Sequence, residues 1–189
     1  MLHGLESFEN LVEALQSLPT IGKKSARNLA FHMVGRDHYG ALKLAHAIEK
    51  AVGAVKFCTR CGNLSEHELC DICSDDERDL ETLCLVSNAK DIMTLEESGG
   101  FTGRYFVFGS MEEADLEKLY DQVRHGVREV IFAFPPSIQN DALIYYIEEK
   151  LSPFGLVFTK IAQGVPTGVN LENVDTVSLA RALESRVKV

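Results

Sequence analysis

The first third of the chain carries hydrophobic residues at the spacing of helices. Between residues 5 and 57, apolar side chains recur every three or four positions, as in amphipathic helices with one buried face. The first helix is predicted from Leu5, Phe8, Leu11, Val12 and Leu15. Pro19 and Gly22 interrupt this pattern. A second helix is predicted from about residue 23 and a third over about 41–55.

Beyond residue 82 the pattern changes to short apolar runs that alternate with amphipathic segments. The runs predict strands at residues 83–86, 105–108, 129–133 and 156–161. The segments predict helices at residues 89–98, 112–125 and 141–151. This alternation implies βαβ crossovers and a mainly parallel sheet. The fold class is therefore α/β with a helical N-terminal region, and the acidic run 74–81 is interpreted as a solvated connection.

Charge is distributed unevenly between these regions. The chain of 189 residues has a net charge of −9. Residues 1–56 carry seven Lys/Arg and five Asp/Glu, or +2, whereas residues 57–189 carry twelve and twenty-three, or −11. Because contacts to phosphate need cations, we expect any nucleic-acid contact to come mostly from the N-terminal third.

No part of the sequence suggests a membrane or an export pathway. No apolar run approaches the length needed to span a bilayer. Residues 1–10 lack the basic stretch and apolar core of a secretory signal. We therefore expect a cytoplasmic protein with no membrane contact.

Four of the five cysteines form two close pairs, Cys58 with Cys61 and Cys70 with Cys73. Two residues between cysteines let both thiolates point at one ion, and two such pairs complete a tetrahedron. The pattern predicts one structural Zn²⁺ per chain, with a redox or iron–sulfur site as the alternative. His67 is a rival ligand, and Cys84, in an apolar run, is expected to be buried.

A glycine-containing turn at residues 18–26 joins the first two predicted helices. Outward-facing N–H groups at the start of a helix favour phosphate, and three basic residues cluster at this turn. The turn resembles a helix-hairpin-helix, which binds the DNA backbone without reading sequence. The residues expected to contact DNA are Ile21, Gly22, Lys23, Lys24 and Arg27. An ordinary turn with a solvated basic tip is the alternative.

The hairpin also contains an unusual residue. Thr20 stands where such hairpins commonly have glycine, at a position that favours a positive φ. We therefore expect a turn that is strained, or tighter and differently shaped. Near the zinc loop, Lys56 and Arg60 are interpreted as offsetting thiolate charge, with DNA contact as the alternative.

The order of these features, a helix-hairpin-helix, a four-cysteine loop and a βαβ region, resembles the RecR family of bacterial recombination mediators. Three further segments are similar to that family: Phe-Thr-Gly-Arg-Tyr-Phe-Val at 101–107, Gly-Val-Pro-Thr-Gly at 164–168, and Ser-Leu-Ala-Arg-Ala-Leu at 178–183 after Asp175. The resemblance implies a DNA-binding region at 1–57, a zinc finger at 58–73, a Toprim-like domain at 81–165, and a C-terminal oligomerisation or Walker-B-like extension at 166–189.

The resemblance also implies a function. A member of this family would be a DNA-binding scaffold in recombinational repair that helps to load recombinase onto gapped single-stranded DNA. It would act with RecO, and with RecF where that protein is present. It would form a homo-oligomer, either a ring tetramer or a dimer.

Toprim domains normally hold Mg²⁺ with carboxylates at strand ends, and here that acidic site is degenerate. Ser87, Gln139 and Asn170 stand where the resemblance leads us to expect acids, and only Asp91 and Asp141 remain nearby. Mg²⁺ binding is therefore doubtful, and we expect no enzymatic activity, because two-metal chemistry needs several convergent acids. A Mg²⁺-dependent Toprim nuclease or primase-like enzyme is the alternative. Solvated helix positions are the simpler interpretation of the two aspartates.

Overall fold

The computed structural model describes residues 4–109, 111–162, 164–165 and 168–186. It divides into two compact units, residues 1–55 and residues 56–189. The helices are α1 (Glu6–Gln16), α2 (Lys23–Gly35), α3 (His38–Ala54), α4 (Asp71–Ser74), α5 (Ala89–Glu97), α6 (Glu113–Arg124), α7 (Ile138–Leu151) and α8 (Thr176–Glu184). The strands are β1 (Lys56–Phe57), β2 (Leu64–Ser65), β3 (Thr82–Val86), β4 (Arg104–Val107), β5 (Glu129–Ala133) and β6 (Val157–Lys160).

The first unit consists of α1, α2 and α3, which confirms the three predicted helices. Its core is small. Val12, Ala26 and Ala30 are buried, and the short alanine side chains let α1 and α2 approach closely. The predicted start of α3 was three residues late, because the carboxylate of Asp37 caps the helix by accepting a 2.8 Å hydrogen bond from Gly40 N.

The second unit is built on a four-stranded sheet in the order β4-β3-β5-β6. Every pairing in it is parallel, which confirms the predicted α/β class. The central strand β3 is buried from Leu83 to Val86, as expected for a parallel sheet covered on both faces. One face packs against side chains of α6 and α7, among them Leu119 and Ile147.

The zinc-ligand segment, here called the zinc knuckle (residues 58–73), covers one edge of this sheet. Val107 N, at the end of edge strand β4, donates a 2.8 Å hydrogen bond to Cys61 O. Gly62 has a φ of +77°, and a Cβ at this position would lie 3.1 Å from Val107 Cβ. Glycine is therefore required here both for its backbone conformation and for close contact with β4.

Most of the acidic segment 74–81 is exposed, as its composition predicted, but one side chain anchors it to the α/β domain. Its Arg78 side chain is only 15% exposed and forms an ion pair with Glu96 of α5. The same guanidinium donates to the carbonyls of Phe101 and Gly103, each at 3.3 Å. Composition could not reveal this anchor, because its partners lie 18 to 25 residues further along the chain.

The C-terminal region contains a helix that the hydrophobic pattern did not predict. Asp175 caps α8 and accepts hydrogen bonds from Val177 N at 3.1 Å and Ser178 N at 2.9 Å. Pro166 and Thr167 of the Gly-Val-Pro-Thr-Gly segment lie outside the described residues. None of the described helices combines the length and apolar composition needed to cross a bilayer.

Candidate functional site

The four paired cysteines come together as one cluster. Each is buried, and their Sγ atoms all lie within 4.8 Å of one another. Cys61 and Cys70, from different pairs, have Sγ atoms 3.6 Å apart. Thiolates about 2.3 Å from one zinc ion stand roughly 3.8 Å apart in a tetrahedron, so the cluster fits this ion. No disulfide joins these cysteines.

Backbone geometry prepares the sulfur atoms for a cation. Asn63 N donates to Cys61 Sγ at 3.4 Å, and Cys70 N donates to Cys58 Sγ at 3.3 Å. Such N–H groups orient metal-binding thiolates and offset part of their charge. The tight turn depends on the glycine after the second cysteine, Gly62, whose N donates to Cys58 O at 3.0 Å.

The thiols by themselves oppose full ionisation of the cluster. Hydrogen bonds with Cys70 and Cys73, together with burial, hold the pKa of Cys61 far above the ordinary thiol value. Hydrogen bonds from Cys61 and Cys73 lower the pKa of Cys70 instead. A dication removes this conflict because it stabilises all four thiolates at once. The protein therefore has one structural zinc site.

The remaining candidates near the knuckle do not belong to the ligand set. His67 is exposed, and the metal-ligand cluster contains cysteines alone. Arg60 donates from Nη1 to Cys73 O at 2.8 Å, so it braces the second cysteine pair. Cys84 is buried in the sheet, where burial raises its pKa to about 12, in agreement with the predicted hydrophobic role.

The hairpin keeps the backbone conformation that a glycine would favour. Thr20 has a φ of +68°, and it is the single non-glycine residue with a positive φ in the described ranges. The positive φ agrees with the expectation of strain at Thr20. Fixing a threonine in the left-handed region costs roughly 1–2 kcal/mol.

The turn presents the start of α2 to solvent. Gly22 precedes the helix, and no side chain caps the N-terminal N–H groups. A Cβ at Gly22 would meet nothing within 4 Å, so the backbone is open to a close approach from outside. Lys23, Lys24 and Arg27 are exposed around this position, while Ile21 packs against the small helical core.

The two aspartates of the degenerate acidic site lie at the starts of α5 and α7, and both have partners within the protein. Asp91 Oδ2 accepts from Asn88 N at 3.2 Å and from Asn88 Nδ2 at 2.9 Å, which completes a capping box. Asp141 Oδ1 accepts from Lys160 Nζ at 2.9 Å. Within the described residues, the four cysteines are the one group of three or more potential ligands that comes together.

Pattern analysis missed the anchor of segment 74–81. Tyr105 donates to Glu96 Oε1 at 2.8 Å, and Glu96 also receives the Arg78 guanidinium. The hydrogen bond from Arg78 holds the pKa of Glu96 below its usual range. A lone arginine in an acidic run was the available signal, because such a residue often marks a fixed ion pair.

The fold and the zinc site define a class: a helix-hairpin-helix unit joined to a four-cysteine zinc finger and a parallel α/β domain. Comparison with family models agrees. The RecR helix-hairpin-helix model matches residues 8–52, the RecR four-cysteine zinc finger model residues 55–75, and the RecR C-terminal model residues 164–187.

Whole-chain comparison extends this match. The chain is 59% identical over 186 residues to "Recombination protein RecR" of a Nitratiruptor species, covering 98% of each chain. It is 50% identical to the protein of the same name from Helicobacter pylori, and the match covers 98% of this chain and 97% of that protein. It is also 50% identical to the protein of the same name from Campylobacter jejuni, and that match covers all of both chains. The chain belongs to the RecR family.

Proposed function

We propose that this protein is a non-enzymatic DNA-binding scaffold in recombinational repair. Family membership supports the general role in recombination. The finer proposal is that the protein helps to load recombinase onto gapped single-stranded DNA, together with RecO and, where present, RecF. It acts in the cytoplasm. The observation that carries the DNA-binding role is the open, uncapped start of α2 with exposed Lys23, Lys24 and Arg27 around it.

The proposed domain division follows the same logic. Residues 1–57 bind DNA and residues 58–73 hold zinc. Residues 81–165 form a Toprim-like domain, and residues 166–189 form a C-terminal extension that serves oligomerisation. The family models that match residues 8–52, 55–75 and 164–187 support the first, second and last of these.

A double substitution in the hairpin tests the DNA interface. Lys23→Ala/Lys24→Ala should weaken binding similarly on unrelated sequences and flatten the salt dependence by about two units on duplex DNA, because each lost phosphate contact contributes near 0.9. The matched control is Lys43→Ala/Lys50→Ala, which removes the same charge from exposed positions of α3. Fluorescence anisotropy across a salt titration gives both slopes. Equal effects of the two pairs would contradict the hairpin assignment.

A glycine pair tests close approach of a phosphate backbone. Gly22→Ala and Gly53→Ala both add a methyl group to open space on the helical unit. Only the first methyl group would lie between the start of α2 and a bound phosphate. We expect Gly22→Ala to weaken DNA binding and Gly53→Ala to leave it unchanged. Tight binding by a folded Gly22→Ala protein would show that the phosphate lies elsewhere.

The degenerate acidic site supports a role without catalysis. Serine, glutamine and asparagine at 87, 139 and 170 offer neutral oxygens, which do not offset the charge of Mg²⁺. Asp91 and Asp141 are engaged by Asn88 and Lys160. With Mg²⁺ or Mn²⁺ present, gel assays should detect no nicking, cleavage or primer synthesis. Activity that vanishes in Asp141→Ala would replace the scaffold proposal with the enzyme.

Two apolar surfaces of the helical unit support a homo-oligomer, either a ring tetramer or a dimer. Leu44, Ile48 and Val52 form a stripe along α3 in which Val52 is 80% exposed. A groove of about 730 Å³ between α1 and α2 is lined by apolar side chains that include Phe8 and Phe31. A second copy of the chain would remove this surface from water. Light scattering should give a particle larger than one chain, and Ile48→Glu should reduce its mass.

A further inference from the structure

The segment 101–107 contains a side chain whose buried polar atom the fold leaves without a partner. Gly103 has no room for a side chain, because a Cβ would lie 2.6 Å from Thr82 O, and the Tyr105 hydroxyl donates to Glu96. Arg104 differs: it is partly buried, and its Nε is enclosed by protein atoms without any acceptor. Its guanidinium makes no hydrogen bond or ion pair with the described residues. A buried donor without an acceptor is unfavourable, and it points to a ligand that supplies one.

Arg104 lines a polar cavity of about 470 Å³ between the zinc knuckle, the edge strand β4 and α6. Arg60 lies in the same wall, where Nη1 is bound to Cys73 O and its other N–H groups remain available. His125 contributes from the end of α6, and its Nδ1 lies 2.5 Å from Asp121 O. Gln122 adds a neutral amide. The cavity therefore offers several donors around an unpaired guanidinium, as an oxyanion requires.

Acidic side chains around the cavity select among oxyanions. Asp76 and Asp121 line the cavity with Arg104. An adjoining cavity, which shares Asp121 with the first, brings Glu68 and Glu117 beside it, against the single further cation Lys118. These carboxylates repel a chain of phosphates, because nucleic acid carries charge at every residue. A single carboxylate with basic neighbours satisfies Arg104 and the surrounding acids together.

We propose that this cavity is a docking site for an aspartate or glutamate side chain that a partner protein presents among basic residues. The planar guanidinium of Arg104 would bind the carboxylate through two parallel hydrogen bonds, which a lysine would not reproduce. The acids around the cavity would contact the flanking basic side chains. The proposal rests on the scaffold role proposed above, since it defines the chemistry of a protein partner. It uses none of the residues of the DNA hairpin.

Peptide titration of the zinc-loaded full-length protein tests the site. The probe is acetyl-Lys-Glu-Lys-amide, and the matched peptide is acetyl-Lys-Gln-Lys-amide. The enclosed Nε–H of Arg104 provides an NMR signal at the site itself. The glutamate peptide should shift this signal saturably, with weak affinity, about 10 mM or better for one ion pair on a small ligand. The glutamine peptide should bind at least about tenfold more weakly, since it carries no charge to meet the guanidinium.

Two substitutions of Arg104 and one control variant keep the test decisive. Arg104→Lys should abolish the difference between the peptides, whereas Arg128→Lys, at a side chain 77% exposed and paired with Glu81, should preserve it. Arg104→Met should melt at the same temperature as the parent or higher, because it removes a buried donor that has no acceptor. A large fall in melting temperature would show that Arg104 is a structural residue and would overturn the proposal.

The remaining outcomes are equally informative. Equal shifts with both peptides, or none with either, would overturn the carboxylate site. Saturation of the Arg104 signal by an oligonucleotide at lower concentration than by the peptide would assign the cavity to nucleic acid instead. Suppose that Arg104→Lys does not tell the two peptides apart while the salt dependence of its DNA binding stays as in the parent. That result would support the cavity site independently of the hairpin. Conversely, Lys23→Ala/Lys24→Ala should change the salt dependence of DNA binding while peptide binding stays normal. That result would show that the hairpin and the cavity act separately.

Discussion

The zinc knuckle and the hairpin at residues 18–26 are both short loops with a residue in the left-handed region, but they are held in different ways. In the knuckle that residue is Gly62, and four buried cysteines fix the loop around a metal. In the hairpin it is Thr20, and the turn is fixed by the packing of the flanking helices and by a 3.3 Å hydrogen bond from Ile21 N to Leu18 O. The comparison shows that metal coordination can replace a hydrophobic core, whereas helix packing can hold a strained residue.

Removing a zinc ligand should have the largest effect. Cys70→Ser should release the metal and unfold the knuckle, because binding free energies of about 10–16 kcal/mol support such zinc sites. Elemental analysis of reduced protein should give one zinc per chain for the parent and much less for the variant. The control is Cys84→Ser, a buried cysteine outside the cluster, which should lower stability while keeping the metal. A metal-free parent would contradict the structural zinc.

Breaking the anchor that follows the knuckle should have the next effect. Glu96→Gln should lower the free energy of unfolding by about 2–3 kcal/mol, since the largely enclosed Arg78 would keep only its longer, 3.7 Å ion pair with Asp75. Because the folded pKa of Glu96 is lowered, its contribution is present above the ordinary glutamate pKa and is lost as the pH falls through the lowered value. Denaturant titrations between neutral and acidic pH should therefore converge for parent and variant at low pH. If the free energies of unfolding of parent and variant differed by the same amount at every pH, the Arg78–Glu96 ion pair would not be the cause of the difference.

Adding a methyl group to the knuckle turn should have a smaller effect. Gly62→Ala places a side chain at a positive φ and 3.1 Å from Val107 Cβ, which should cost about 2 kcal/mol. Chemical denaturation of zinc-loaded protein measures this loss. Gly99→Ala serves as the control, because its φ is also positive while its Cβ would meet nothing. Equal losses for the two would show that contact with β4 contributes little.

Relieving the strain in the hairpin should give the smallest change, in the opposite direction. Thr20→Gly should stabilise the protein by about 0.5–1 kcal/mol, because the relief of strain exceeds the extra entropy that glycine loses on folding. Thermal unfolding followed by circular dichroism measures the shift. Destabilisation instead would mean that the threonine side chain makes a contact that outweighs its backbone strain.

Much of this protein could be predicted from local pattern. The α/β class and the strand at 129–133 followed from hydrophobic spacing, because a parallel sheet buries continuous apolar runs. The cysteine spacing likewise predicted the zinc site, because two close cysteine pairs supply the four ligands of one tetrahedral ion. Helix ends were less predictable. α7 begins at Ile138 because the hydroxyl of Ser137 accepts from Asn140 N, and such a cap leaves hydrophobic periodicity unchanged.

The sequence alone therefore determined the main helices and strands, apart from α8, and the metal ligands, since both depend on residues close together along the chain. Only the tertiary structure revealed that Arg78 anchors the acidic segment and that Arg104 remains without a partner. Both facts depend on residues brought together from distant positions, as the Arg78 contacts with Glu96 and Gly103 illustrate. Whether a buried charge is satisfied depends on its neighbours in space, and composition does not contain that information.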